Sequence, residues 1–589
     1  MRCFLCFVLA VSAALLCLAA VSFAEEREVI PVTVNGTVVM RLFDTPEDNE
    51  RDLASAAEAV IKAKIAEGAS VKSIKTEKSE DGASILWGDR LVILVTPEQA
   101  KAQNSECMAL AEVWARNIMK AAEVKPLKLS SNSLKIAIGE SDFVTAGESG
   151  EISCSYDPKA LDISVEDDVI IFTPLKTGDF SVTVNRGKSK GIVRISARER
   201  AGVIAPEISL EVTGSPASEE IIKNGILYRI SDAVTLKPGA SMYLKQDLEI
   251  FKGLASGSSA VFPVQVIAEG KGYMPAEGTV RVSVVNSSIK WDGPGALWIS
   301  NRPETLDRDG IPFKKSLETR AQARFMYSHK TVSSFHRRIA ISFRNPGRKP
   351  ARLLFRNAFA GPDKFEMYAG HKAAARYMKL FSSESGYVLD IPAFSSVLIS
   401  DTNITPGFLF SGICDLKLLE GDSVEVSAES FPAGGKKGRL EMIDEPFDPF
   451  KIHPHGVFPA GIISLEASYR LSAEDSSVEI GKWPWLIDAE TAEPNTGNFG
   501  VVYIIYADLI NDTGYPSYVN IDFTPLNGTS QGTVIVDGEM IETPVTRKDC
   551  SALVKRMRLN AKENRRVIIM TIPEASSCYP VKFTFSKGV

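Results

Sequence analysis

The spacing of apolar residues changes character near residue 125. Before it, Leu53, Ala57, Val60, Ile61 and Ile65 recur every three or four positions, and Leu110, Val113, Trp114, Ile118 and Ala121 do the same. Each series predicts a helix with one packing face. The first helix opens at Thr45, a capping residue, with Pro46 suited to the first helical position and Asp48 at the acid position of a capping box, and Gly68 stops it. Ahead of it, Asn35-Gly36 lies between alternating apolar residues in VTVNGTVVM, a two-residue hairpin signal. A strand pair around Gly82 ends in the apolar run RLVILV, and TPEQ opens the second helical stretch. The order hairpin, helix, hairpin, helix predicts a small α+β module over residues 25–124 with its helices on one sheet face.

From Leu127 the period falls to two. LKIAIGE, EISCSY, LDISV, VIIFTP, GDFSVTVN and GIVRISA are short alternating runs separated by Gly, Pro, Asn and Asp, the texture of a sandwich over residues 127–200. PEISLEVTG through GTVRVSVVN repeats the theme over 203–289 and predicts a second sandwich. RIAISFRNPGRKPARLLFRN, two alternating strands around a Pro/Gly turn, marks a third unit over 290–445. A Pro-rich linker, 446–460, precedes a final unit, 461–589, with VVYIIYADLI, VNIDFTP, TVIVDG, RRVIIMTIP and VKFTFSK. The predicted fold class is mainly β: a small α+β module followed by tandem antiparallel β-sandwiches, immunoglobulin-like and jelly-roll-like.

Length agrees with this division, since 589 residues exceed what one core serves and suggest roughly four or five domains. Charge excludes one class of partner. Lys and Arg number 67 against 73 Asp and Glu, a formal net charge of −6, so no positive excess attracts a phosphate backbone and nucleic acid is not expected. Residues 1–24 read as a secretory signal: Arg2, a long apolar run, then Ser22 and Ala24 placed for cleavage before Glu25. A retained anchor or lipidation at Cys17 are the alternatives. No later apolar run is long enough to span a bilayer, so the mature chain is expected to be secreted, periplasmic or at the cell surface, without a transmembrane segment.

Signal removal leaves Cys107, Cys154, Cys414, Cys550 and Cys578, an odd number with no CxxC spacing. Cys550 and Cys578 share the final unit and are the candidate disulfide; Cys107 is expected to be a buried thiol on the second helix.

The most suggestive chemistry is KIHPHG. In an extended segment His453 and His455 point the same way and could meet one ion. Zinc needs further ligands, and Asp444, Glu445 and Asp448 are near but match no ligand spacing. The other reading is an interdomain linker whose histidines face solvent or pack at a hinge. His329, His336 and His371 complete a set of five confined to residues 329–455, and whether they converge is not a matter of spacing. No GxSxG elbow, P-loop or dinucleotide fingerprint occurs, and no cofactor is expected. Glu166-Asp167-Asp168 lacks the spacing of a calcium loop and reads as a solvated turn. KWPWLID sets Trp483 and Trp485 around Pro484; such indoles either stack on a sugar or partner or plug a sandwich end.

Three resemblances add context. Residues 25–124, through VNGTVV, ILVTPEQA and LAEVWARNI, resemble the periplasmic modules that precede the channel portion of some mechanosensitive proteins. Residues 127–200, through DVIIFTPLKTGDFSVTV, resemble a bacterial immunoglobulin-like domain. SNRPE at Ser300–Glu304, RFMYSHK, GHKAAARYM, PGFLFSG and NTGNFGVVY resemble an uncharacterised family of secreted bacterial proteins, known mainly from cyanobacteria, which implies no activity. The expectation is therefore a secreted cell-envelope or surface protein, structural or adhesive and not an enzyme, whose partners are envelope proteins or polysaccharide. The alternatives are a glycan-binding or glycan-acting protein, and a metalloenzyme centred on the histidine-bearing region.

Overall fold

The computed structural model describes residues 29–35, 37–43, 50–250, 252–332, 336–434, 440–443 and 453–588. The signal segment, the Thr45–Asp48 cap and the acids Asp444, Glu445 and Asp448 lie outside these residues. The architecture is mostly β, in several sheets. Contacts divide it into two units: residues up to Val203 with Leu236–Ser241 and Ala268–Ala276, and the remainder.

The first unit opens with the expected hairpin, Val29–Val34 against Thr37–Phe43, with Asn35 at φ 45°. Helix α1 (Glu50–Ala66) follows, then the antiparallel strands Ile74–Ser79, Gly82–Trp87 and Arg90–Val95. Thr96 Oγ1 accepts the Gln99 amide to cap the short α2 (Pro97–Ala102), and α3 (Cys107–Ala122) completes the module. Both long helices share one core with the strands. On α3, Leu110, Trp114, Ile118 and Ala121 are buried as their spacing predicts, while Val113 of the same predicted stripe is 43% exposed and Cys107 is only half-buried. On α1 the buried face is Ala54, Ala57 and Ile61, and Leu53 is 45% exposed: the small side chains, not the leucine, let the helix lie close to the sheet.

The next domain is the expected immunoglobulin-like sandwich. One sheet joins Leu161–Glu166, Val169–Pro174 and Asp142–Thr145; the other runs Ser133–Ala137, Ser189–Arg198, Gly178–Arg186 and Ile152–Ser155, its first pair parallel. Alternate residues Val182, Val184, Val193 and Ile195 meet Val144 and Phe172 between the sheets. Glu166 to Asp168 form the hairpin turn, with Asp167 at φ 53° and Asp168 accepting from Arg186 at 2.6 Å.

In the second unit the sequence-based boundaries need correction. Residues 203–289 do not make a sandwich. Their strands Ser241–Leu244, Ser259–Glu269, Ala276–Asn286 and Glu207–Thr213 form one edge of a ten-stranded sheet, covered by α4 (Glu219–Arg229). The sheet continues through Gly386–Ile391, Ala351–Asp363, Leu409–Glu420, Gln322–Lys330, Ala296–Ser300 and Gly456–Phe458. The join is Glu211–Thr213 paired antiparallel with Gly386–Val388. A helix already covers the apolar face of these strands, so no second sheet is needed there.

Against the middle of this sheet packs a four-stranded one, Gly310–Glu318, Ser423–Pro432, Arg337–Arg344 and Ser396–Ile404, closing the sandwich expected over 290–445 around Phe325, Tyr327, Phe343, Phe355, Phe410 and Cys414. The opposite face carries α5 (Glu366–Ser382) and the final domain. Strands covered on both faces lose alternation: eight successive residues from Leu409 to Leu416 are buried.

The final domain is a sandwich of Ile462–Arg470, Val502–Ile510, Asn564–Thr571, Thr533–Val536 and Glu539–Glu542 over Ser476–Ile480, Val581–Gly588, Ser517–Pro525 and Ala552–Leu559. Its first pair is parallel, not antiparallel as expected. The described part of the stretch 446–460, from His453 on, is not simply a linker. Gly456–Phe458 pairs with Ala296–Ser300, and Phe458 is fully buried. Tyr377 and Met378 of α5 share one apolar cluster with Val501, Ile505 and Phe523 of the final sandwich.

Candidate functional site

Alternation along Gln322–Lys330 sends Phe325, Tyr327 and His329 to one face and Met326, Ser328 and Lys330 to the other. On the second face lies a groove of about 410 Å3. Its floor is Ile299 and Met326. Glu304, Glu366 at the start of α5, His453, Phe499 and the loop Ala575–Cys578 form its walls. Lys330 Nζ sits 3.1 Å from Glu366 Oε1 and 3.2 Å from Glu304 Oε2, and His453 Nε2 is 3.5 Å from the same Glu304 oxygen. Burial works against the charged Lys330, but the hydrogen bond to Glu366 and the Glu304 carboxylate outweigh it and raise its pKa. Asn301 also lines the groove, and its buried Oδ1 has no hydrogen-bond partner among the described residues.

His453 lines the groove directly, whereas His329 and His455 act on it through the turn Ser300–Glu304. His329 is fully buried, and burial pushes its pKa down to about 4, so the ring is neutral. Its Nδ1–H donates to the Pro303 carbonyl at 2.9 Å, which leaves Nε2 to accept the Ser300 hydroxyl, also at 2.9 Å. His455 is likewise lowered to about 4 by burial, then by Arg302; its Nδ1 accepts the Asn301 amide at 3.4 Å and its ring meets Phe313 edge-on. Arg302 is held by both oxygens of Glu493. Two neutral imidazoles therefore fix the turn Ser300–Glu304, which delivers Asn301 and Glu304 to the groove.

His371, on the next turn of α5 after Glu366, is separate. It lies buried between Glu574 (Nδ1 to Oε2, 2.8 Å) and Glu542 (Nε2 to Oε2, 2.7 Å), with Lys372 Nζ 2.8 Å from Glu542. Burial lowers its pKa, but the hydrogen bond and charge of Glu574, then those of Glu542, raise it more. Burial raises that of Glu574. His336 stands apart, 3.5 Å from the Thr405 hydroxyl.

His453 and His455 thus have different neighbours: Glu304 for one, Asn301 and Phe313 for the other. Among the described residues no three His, Cys, Asp or Glu side chains are placed to hold a metal ion. Trp483 and Trp485 also part company. Trp483 is 73% exposed; Trp485 is half-buried, its indole N–H donating to the Gly481 carbonyl at 3.2 Å. The Cys550–Cys578 bridge is not formed. Both thiols are free and exposed: the Cys550 amide bonds to Arg547 in its own turn, and that of Cys578 to Thr529 beside Gly528, against which its sulfur packs.

Sequence reasoning passed over Glu304, Lys330 and Glu366. They come from a loop, a strand end and a helix start, and no spacing links them. The one available signal was that SNRPE and RFMYSHK, both singled out above, each contribute to the groove.

Residues 31–124 match a family model described as "Domain of unknown function (DUF8459)", which spans the α+β module. No curated protein matches the chain. Among solved structures, the chain is similar to domains 4 and 5 of the S-layer protein SbsC (14% identity, 13% of this chain and 51% of that one, TM-score 0.12), so it spans about half of that fragment. It is also similar to tandem immunoglobulin domains of titin (8%, 27% and 98%, 0.12) and to an endo-fucoidan hydrolase of glycoside hydrolase family 107 (9%, 37% and 38%, 0.13). None of these likenesses bears on chemistry.

Proposed function

We propose that the chain is a secreted, non-enzymatic cell-envelope or surface protein that acts by contact, and that the Glu304–Lys330–Glu366 groove is where it takes its ligand. One observation carries this reading: a concave, mixed polar and apolar site whose only ammonium among the described residues is already shared by two carboxylates, while acceptor atoms stay uncommitted. Pockets that combine apolar walls with a few fixed polar groups are the usual form of a small-ligand site. Two of the three nearby imidazoles hold the turn and do not face a ligand: His329 spends both ring nitrogens on the Pro303 carbonyl and the Ser300 hydroxyl, and His455 spends Nδ1 on the Asn301 amide. An acceptor-rich lining suits a polysaccharide, whose hydroxyls are donors. The apolar leader at residues 1–24 and the resemblance of residues 25–124 to a periplasmic module support the envelope setting. No helix of the described residues is long and apolar enough to cross a membrane.

Cell fractionation, followed by a screen of the purified chain against envelope polysaccharides and a general hydrolase panel, tests this. Cytoplasmic residence refutes the location. Turnover abolished by Glu304→Gln or Glu366→Gln refutes the non-enzymatic half and favours the glycan-acting alternative, which uses two carboxylates. The exposure of Trp483 favours a second contact point at the end of the final sandwich, and loss of polysaccharide binding in Trp483→Ala would identify it.

A further inference from the structure

We propose that the groove recognises a free ammonium group on a hydroxylated sugar ring, that is, an unacetylated amino sugar. The proposal rests on the reading of the groove as the ligand site and names what fills it.

The charge pattern points there first. Two carboxylates, Glu304 and Glu366, face Lys330, the one ammonium among the described lining residues, which binds one oxygen of each, and the His453 ring stands 3.5 Å from the Lys330-bound oxygen of Glu304. Glu304 Oε1 and Glu366 Oε2 accept no hydrogen bond from the described residues. A neutral ligand adds no positive charge beside the two carboxylates, and an anionic sugar is repelled by them. An added cation, approaching from the side away from Lys330, completes an alternation of charge and gains charge-assisted hydrogen bonds, about twice as strong as neutral ones.

The hydrogen-bonding pattern points the same way. Asn301 Oδ1 is a third acceptor, buried and unpartnered. The segment carrying it is pinned at Ser300, Asn301 and Pro303 by His329 and His455. Buried polar groups without a partner are costly, and a donor from a ligand removes that cost. Sugar hydroxyls and an ammonium are both donors; an acetamide turns the same position into a carbonyl acceptor with one hindered N–H. The half-buried Phe499, with Ile299, Met326 and Pro454, offers the apolar face of a ring a surface. A volume of about 410 Å3 takes roughly one or two rings, within the usual size of small-molecule pockets.

The test is calorimetric, on the full chain, with three β-1,4-linked dimers that differ only at C2: the dimer of glucosamine, that of N-acetylglucosamine, and that of glucose. The amine dimer is expected to bind at least about tenfold more tightly than the other two, with an advantage that shrinks as salt is raised. Glu366→Gln keeps an oxygen for Lys330 but removes a charge, and should bring the amine dimer to the level of the others at an unchanged melting temperature. Equal affinity for all three dimers overturns the ammonium assignment and leaves the groove as a sugar site. Binding of none overturns the proposal. Loss of the amine preference in Trp483→Ala but not in Glu366→Gln overturns it too, by placing the ligand elsewhere. The broader reading of the groove is judged separately: bulky alkylation of Cys578, in a Cys550→Ser background, must block whatever envelope polysaccharide the chain binds.

Discussion

Arg324 and Asp415 sit opposite each other on neighbouring antiparallel strands, Nε to Oδ1 at 2.9 Å, and neither side chain reaches solvent. The other Asp415 oxygen accepts from Arg356 Nε at 3.0 Å and from the Tyr377 hydroxyl at 2.8 Å. Arg324 also donates to the carbonyls of Gly461 and Gly500. One carboxylate therefore binds the ten-stranded sheet to α5, and through Arg324 to the final sandwich. Burial raises the pKa of Asp415, but Arg324 and then Arg356 lower it more.

Asp415→Ala leaves two buried guanidiniums without a counter-charge. The expected loss is about 3–5 kcal/mol, the usual result of breaking a buried pair from one side. Urea unfolding followed by tryptophan fluorescence measures it, and an unchanged transition midpoint would show that the network is dispensable.

Gly370 makes a related prediction at the groove wall. A Cβ there would lie 2.1 Å from the Ala575 carbonyl oxygen, which is backbone and cannot rotate away. Gly370→Ala should push α5 off the Ala575–Cys578 loop, destabilise the chain by about 1–3 kcal/mol, and weaken ligand binding in proportion. Thermal unfolding and the dimer titration read the two effects.

The Glu542–His371–Glu574 contact predicts a pH dependence. His371 has a folded pKa above its ordinary 6.5, so its contribution is fully present below pH 6.5 and is lost as pH rises through the raised value. Glu574, raised by burial, acts in the same direction. Glu542 is lowered from 4.5, first by its hydrogen bond from Lys372, so its contribution fades as pH falls through that lowered value. The His371 and Glu542 contributions are both full between about pH 4.5 and 6.5, that of Glu574 is full below pH 4.5 and is lost as pH rises through its raised value, and stability should decline toward pH 8.5. His371→Gln should flatten that decline; an unaltered slope in denaturation at pH 6 and pH 8.5 would assign it to other groups. Besides the two glutamates, the groups facing this cluster are Lys372, the Thr533 amide on Glu574 Oε1, and the Tyr579 hydroxyl at the Glu574 amide.

Thiol reactivity separates the cysteines. Cys550 and Cys578 are exposed and free, whereas Cys414 is fully buried and burial raises its thiol pKa well above the ordinary value. Maleimide under native conditions should modify the first two within minutes and leave Cys414 intact until the chain unfolds. Peptide mass spectrometry locates the adducts, and a native Cys550–Cys578 disulfide would appear there as a linked pair.

Trp483 should behave as a surface residue. At 73% exposed, its replacement by Ala should change stability by no more than about 0.5 kcal/mol while reducing the acrylamide-quenchable part of the fluorescence.

What the sequence alone determined is what neighbours along the chain decide. The Asn35-Gly36 hairpin, the Thr96 cap, the Leu110–Ala121 helix face and the alternating strands of residues 127–200 are local matters of dihedral preference and period, and the structure has them where the pattern puts them. The same logic marked the final domain as a sandwich. Tertiary structure decided everything that depends on which faces meet. Glu211–Thr213 find their partners at Gly386–Val388, far along the chain, and this makes one wide sheet of what reads as two sandwiches. His453 and His455, two residues apart, gain different neighbours because one meets Glu304 at the end of the Ser300–Glu304 turn and the other meets the Asn301 amide and the core ring of Phe313. Glu304, Lys330, Glu366 and Cys578 become one groove only when a loop, a strand, a helix and the final domain close on each other. Their interaction depends on distance in space and on exclusion of water, and separation along the chain carries neither quantity.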